Sequence, residues 1–102
     1  MTKEWHEKYH DIRFEEKDHG ILLMTLDRPE SLNATDARMH NALSRLWLDI
    51  DDDPDVRVVV VTGAGDAFSA GGDLNWIETM VNDYDGMKAA LREAGDIVYR
   101  MS

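Results

Sequence analysis

The 102-residue chain has no cysteine. That excludes a disulfide framework, a thiolate metal site and a cysteine nucleophile, and it suits a reducing compartment, so a cytoplasmic location is expected. No run of 18 apolar residues exists, and nothing in the sequence reads as a membrane span. Basic residues are scarce: 11 against 21 acidic ones, for a net charge of -10. Such a surface argues against nucleic acid, whose phosphates need clustered lysine and arginine. Proline is rare, at two positions, and each ends a patterned segment. The first ten residues, MTKEWHEKYH, lack the apolar stretch of a signal peptide and read as a polar leader.

What is present is ordinary globular composition, 43% hydrophobic, enough for the modest core of one domain. Residues 12–26 read as a hairpin. Ile12 and Phe14 alternate with polar neighbours, Asp18-His19-Gly20 forms the turn, and residues 21–26 run mostly apolar, as a strand buried on both faces would. Residues 36–50 carry the clearest helical stripe: Met39, Ala42, Leu43, Leu46, Trp47 and Ile50, with Thr35 or Asp36 as the cap. The β-branched run VRVVVVT at 56–62 predicts a buried parallel strand. A glycine-rich loop follows at 63–72. Two more helices are predicted over 73–81 and 85–101, the second with Met87, Leu91, Ala94, Val98 and Met101 on one side. The order is β-β-α-β-α-α, an α/β arrangement with a small sheet that looks incomplete.

Four short motifs carry possible chemistry. His6-Glu7-Lys8-Tyr9-His10 matches H-E-x-x-H, but without an apolar helical stripe around it, and the alternative is a solvated leader. Asp49, Asp51 and Asp53 imitate the start of a calcium loop, yet Pro54 and Val60 stand where glycine and glutamate are needed. Gly63-Ala64-Gly65-Asp66-Ala67-Phe68 hints at a dinucleotide loop but lacks the third glycine and an immediate helix. Ser69-Ala70-Gly71-Gly72-Asp73-Leu74 is different: two glycines precede a helix, and backbone amides there can hold an anion or an oxyanion. The same residues also read as a plain turn.

Three blocks in order and spacing carry a resemblance. They are Asp27-Arg28-Pro29-Glu30-Ser31-Leu32-Asn33-Ala34, then Asp55-Val56-Arg57-Val58-Val59-Val60-Val61-Thr62-Gly63, then Ala67-Phe68-Ser69-Ala70-Gly71-Gly72-Asp73-Leu74. Together they resemble the enoyl-CoA hydratase/isomerase (crotonase) family. The resemblance implies the N-terminal part of a crotonase-like ββα spiral, residues 1–102 forming part of one domain. It implies that the backbone N–H of Gly72 is one oxyanion-hole donor for a thioester carbonyl. It also implies that Leu32, Asn33 and Ala34, with Ala70, Gly71, Gly72, Asp73 and Leu74, line the path of coenzyme A and its acyl group. Ser31 stands where a basic residue is frequent; Arg28 could compensate by meeting CoA phosphates, and its alternative role is structural, holding the strand exit. The second donor and the catalytic acid or base lie later in such proteins. Glu78 reads as a solvated helix residue.

The activity implied is hydration of a 2-enoyl-CoA through a stabilised thioester enolate. Isomerisation, hydrolysis and decarboxylation stay open, as does a non-catalytic CoA-binding or partner chain. No metal and no separate cofactor are expected, since coenzyme A arrives as part of the substrate. A homotrimer or hexamer is implied for a complete protein.

Overall fold

The computed structural model describes residues 3–101. Its order is β1 (Ile12–Lys17), β2 (Ile21–Leu26), α1 (Ala37–Asp52), β3 (Val58–Gly63), α2 (Leu74–Thr79) and α3 (Tyr84–Met101). Short 3-10 turns occupy Glu4–Lys8, Asp18–Gly20 and Pro29–Ser31. This is the α/β order that the patterns predict.

The sheet order is β1-β2-β3. β1 and β2 are antiparallel, with Ile12 opposite Leu26 and Lys17 opposite Ile21. β3 lies parallel to β2, with Ile21 opposite Val58 and Leu26 opposite Gly63. A parallel neighbour needs a crossover, and α1 supplies it. Asp36 starts α1 by accepting the Met39 N–H at 2.9 Å; of the two cap candidates, its carboxylate is the one used. The apolar stripe of α1 then closes on one face of the sheet. Ile12, Phe14, Leu22, Met24 and Leu26 meet Met39, Ala42, Leu46, Trp47 and Ile50 in one core. Each Leu, Ile, Met or Phe side chain among them contributes roughly 1.5–3 kcal/mol on burial.

Three expectations need correction. β2 is not buried on both faces: Leu22, Met24 and Leu26 are buried, while Ile21, Leu23 and Thr25 are only half-covered. β3 does not reach the burial expected of it in a complete fold, since Val58 and Val60 are 53% and 46% exposed. Its β-branched run fits the pleat, but β2 is its only partner and one edge stays open among the described residues. The polar leader, whose residues 1 and 2 lie outside the described ones, is corrected at Trp5, His6 and Tyr9, while Glu4, Glu7, Lys8 and His10 are exposed. Trp5 packs against the core and His6 is 4% exposed, because the short 3-10 turn folds back onto Phe14.

α3 lies against α1. Glu93 binds His40 and also accepts from Asn41 Nδ2 at 2.7 Å, and Arg100 donates to the Ser44 carbonyl at 2.7 Å. The contact is polar, so the apolar stripe of α3 faces elsewhere: Leu91 and Met101 are 68% and 59% exposed. Uncovered apolar surface beside an open strand edge favours association. The 102-residue chain is therefore expected to self-associate despite its negative charge. Sedimentation velocity over a concentration series checks this, and a compact monomer at every concentration contradicts it.

Candidate functional site

The site begins where β2 ends. Pro29 cannot continue a ladder, and the chain tightens into the Pro29–Ser31 turn. Leu32 and Asn33 then take left-handed backbone, φ 53 and 57. Asparagine tolerates this conformation better than most residues. Asn33 is fully buried and all its polar atoms are engaged. Its Oδ1 accepts from the Arg28 N–H at 2.8 Å, its Nδ2 donates to the carbonyls of Ala64 and Ala67 at 2.9 and 2.8 Å, and its own carbonyl accepts from Ser69 Oγ at 2.9 Å. One side chain thus pins the strand exit to the glycine-rich loop.

Backbone bonds complete the stitching. Ala70 N–H donates to the Leu32 carbonyl at 2.9 Å, Thr35 N–H to that of Gly71 at 2.7 Å, and Asp73 N–H to that of Thr35 at 2.8 Å. The last two form an isolated parallel bridge between Thr35 and Gly72. Peptide groups alternate along an extended segment. The Gly71 carbonyl and the Asp73 N–H turn toward Thr35, so the Gly72 N–H between them faces the other way. No described residue accepts from it.

The two glycines differ. Gly71 sits at φ 90, where open space surrounds it but any side chain is strained. Gly72 has no such backbone. A Cβ there meets only the Ile77 side chain, Cδ1 at 3.0 Å and Cγ1 at 3.7 Å, the free end of a flexible side chain. The turn reading therefore belongs to Gly71, and Gly72 is left with its unspent N–H.

The helix-terminus part of the anion reading is corrected. α2 is six residues long, and the Asp73 carboxylate accepts the Trp76 N–H at 3.2 Å. That bond, together with the nearby Arg28 guanidinium, holds the Asp73 carboxyl below the usual carboxylate range. Arg28 is turned onto its own chain. Its guanidinium donates to the Ala34 carbonyl and lies 3.4 Å from Asp73 and 3.6 Å from Asp36, with the side chain 15% exposed. A guanidinium already held by two carboxylates and a carbonyl is poorly placed to meet a phosphate.

Of the residues the resemblance marks, Leu32, Ala70, Gly71, Gly72 and Leu74 are exposed, Asp73 is half-buried, and Asn33 and Ala34 are buried. Residues 32–35 and 70–73 lie side by side through the bonds above. Glu78 is exposed. The His6–His10 motif does not assemble, since His6 is buried and His10 exposed. Asp49 binds Lys8 and Tyr9, and Asp53 binds Lys3 and Trp5, so the aspartate run has separate partners. Among the described residues no three metal-capable side chains converge. Gly63 opens no phosphate loop. A Cβ there runs into the carbonyls of Ala67 and Phe68 and lies 2.7 Å from Phe68 Cα, so glycine serves the close approach of the loop. Sequence reasoning missed that contact and the hub role of Asn33. The signal for the second was an asparagine beside a turn, too common to stand out.

A profile of the enoyl-CoA hydratase/isomerase family matches residues 16–101. The chain belongs to the enoyl-CoA hydratase/isomerase family. Solved structures agree with that assignment. A crystal structure of an enoyl-CoA hydratase/isomerase from Mycobacterium paratuberculosis superposes with a TM-score of 0.81 at 40% identity, over 89% of this chain and 36% of that one. The mevalonyl-coenzyme A hydratase of Beauveria bassiana is 38% identical over 88 residues, 85% of this chain and 30% of the relative. The 1,2-epoxyphenylacetyl-CoA isomerase of Escherichia coli is 40% identical over 58 residues, 57% of this chain and 22% of the relative. The chain thus spans a third or less of these two relatives. Family membership gives a coarse enzyme class, since hydratases and isomerases are both among its relatives, and hydrolases too. Among the described residues no helix is long and apolar enough to cross a membrane.

Proposed function

We propose that this chain forms the first half of an acyl-CoA site, in which the Gly72 N–H stabilises the enolate oxygen of a thioester. The outward, unspent Gly72 N–H on a loop pinned by Asn33 is the observation that supports this reading. An enolate places negative charge on the carbonyl oxygen. A donor already aimed at that oxygen contributes about 3–4 kcal/mol to the transition state, since it needs no reorganisation. A second donor and a carboxylate that moves the proton or activates water complete the chemistry.

The reaction proposed is hydration. Water oxygen bonds to C3 of a 2-enoyl-CoA, the double-bond electrons pass to the thioester oxygen, and a proton returns to C2. Isomerisation is the second reading, favoured by the Escherichia coli relative. Coenzyme A arrives with the substrate, along the segments 32–34 and 70–74, and no further cofactor takes part. The exposed stripe on α3 fits assembly of the complete protein as a homotrimer or hexamer.

The test follows loss of the conjugated thioester absorbance of 2-butenoyl-CoA. The isolated 102 residues are expected to show no turnover, and a longer protein carrying them with the remaining strands is expected to turn over. An inactive longer protein that still binds CoA favours a non-catalytic chain. Turnover by the isolated chain, abolished by changing Gly71 and Gly72 together, overturns the need for a second half.

A further inference from the structure

We infer that residues 3–9 form a strap that lets go of the sheet when His6 takes up a proton. The strap is built from side chains that have no part in the thioester site. Trp5, His6 and Tyr9 surround the Phe14 ring of β1, with ring centroids 4.9, 5.2 and 6.1 Å away. Lys3 anchors one end: its ammonium is 2.7 Å from Asp53, 2.8 Å from Asp55 and 3.0 Å from Glu16. Trp5 Nε1 donates to Asp53 at 3.1 Å. Lys8 and Tyr9 anchor the other end on Asp49 of α1.

His6 is the weak point of this arrangement. It is 4% exposed, stacked on Phe14 and edge-on to Trp5 at 4.4 Å. Its Nδ1 accepts the Lys3 backbone N–H at 3.0 Å. The ring proton of the neutral imidazole therefore sits on Nε2, which is buried and has no partner among the described residues. A second proton must enter at Nδ1. There it turns an acceptor into a donor facing the Lys3 N–H, and that bond is lost. It also creates a cation inside an aromatic cluster, beside the Lys3 ammonium. Glu16 of β1 and Asp53 at the end of α1 are the opposing charges, and both are already engaged by Lys3.

Burial is the largest influence and holds the His6 imidazole below the ordinary histidine range; Glu16 and Asp53 work against it and Lys3 with it. The sign follows. The closed strap binds the proton less well than the open one, so closure is fully favoured above the ordinary histidine value of about 6.5 and weakens as pH falls below it. The change is expected to be local, because the β1–β2 ladder pairs residues 12–17 with 21–26 and uses none of the strap's residues.

The test is proton–nitrogen NMR of the whole chain from pH 7.5 to 5.0. It follows the Trp5 indole N–H, the His6 ring and the β1–β2 ladder amides. Protection of the Trp5 indole, corrected for intrinsic exchange, is expected to fall by up to about tenfold per pH unit below 6.5. Its midpoint should coincide with that of the His6 ring, and the ladder amides should stay protected. His6→Gln keeps a neutral acceptor for the Lys3 N–H and should abolish this response. An unchanged Trp5 indole, separate midpoints for Trp5 and His6, or simultaneous loss of ladder protection overturns the proposal. So does a His6→Gln chain with the original response. If that variant does not fold, the two wild-type midpoints decide alone.

Discussion

Gly72→Pro, introduced into a protein that carries this chain with the rest of its domain, is expected to lower kcat by about 10²–10³, the cost of one oxyanion donor. Gly72→Ala is expected to keep most of the activity. The contrast follows from geometry. Proline removes the N–H, which no described residue uses, so no internal hydrogen bond is lost with it. Alanine keeps the N–H, and its methyl meets only the Ile77 side chain, whose tight Cδ1 contact can rotate away. Proline also restricts the residue before it, here Gly71 at φ 90, so both variants need melting curves beside their kinetics. A folded, fully active proline variant removes Gly72 from the chemistry. A badly destabilised alanine variant returns it to a turn role.

Asn33→Ala is expected to destabilise the chain by about 3–5 kcal/mol, among the largest effects of any single substitution. The substitution leaves the Arg28 N–H and the carbonyls of Ala64 and Ala67 without their partner. These groups are part-buried, and each one stranded away from water costs up to about 1–3 kcal/mol. Alanine also tolerates left-handed backbone less well than asparagine. Asn33→Asp separates the two halves of the role. It keeps the acceptor for Arg28 but turns a carboxylate oxygen toward two carbonyls, so it should be no better than alanine. Urea unfolding at neutral pH measures both. A loss below about 1 kcal/mol for alanine, within the worth of a single ordinary hydrogen bond, shows that the loop is held by other contacts.

Much of the fold was legible because local patterns report local physics. Met39, Ala42, Leu46, Trp47 and Ile50 recur at helical spacing and do bury together. Asp36 and Asp73 stand where a helix needs a side-chain acceptor, and each accepts the N–H three residues on. The Gly-Gly-Asp run marked the loop that carries the candidate donor. By itself the sequence determined which residues share a face and where helices start.

The tertiary structure decided what each face meets. Val58 and Val60 read as buried in a complete fold and are half exposed here, because a β-branched run says that a strand forms and not what lies beyond its edge. Trp5 and His6 sit in a charged stretch with no apolar period, and only the fold brings Phe14 beneath them. Arg28 read either as a contact for phosphate or as a structural residue at the strand exit, and Asp36 and Asp73, one of them distant in sequence, take its charge. Gly71 and Gly72 look alike as letters; beside the bridge to Thr35 one takes a positive-φ turn and the other keeps an N–H to give. Each outcome depends on contacts between residues far apart in the chain, and periodicity reaches no further than one element.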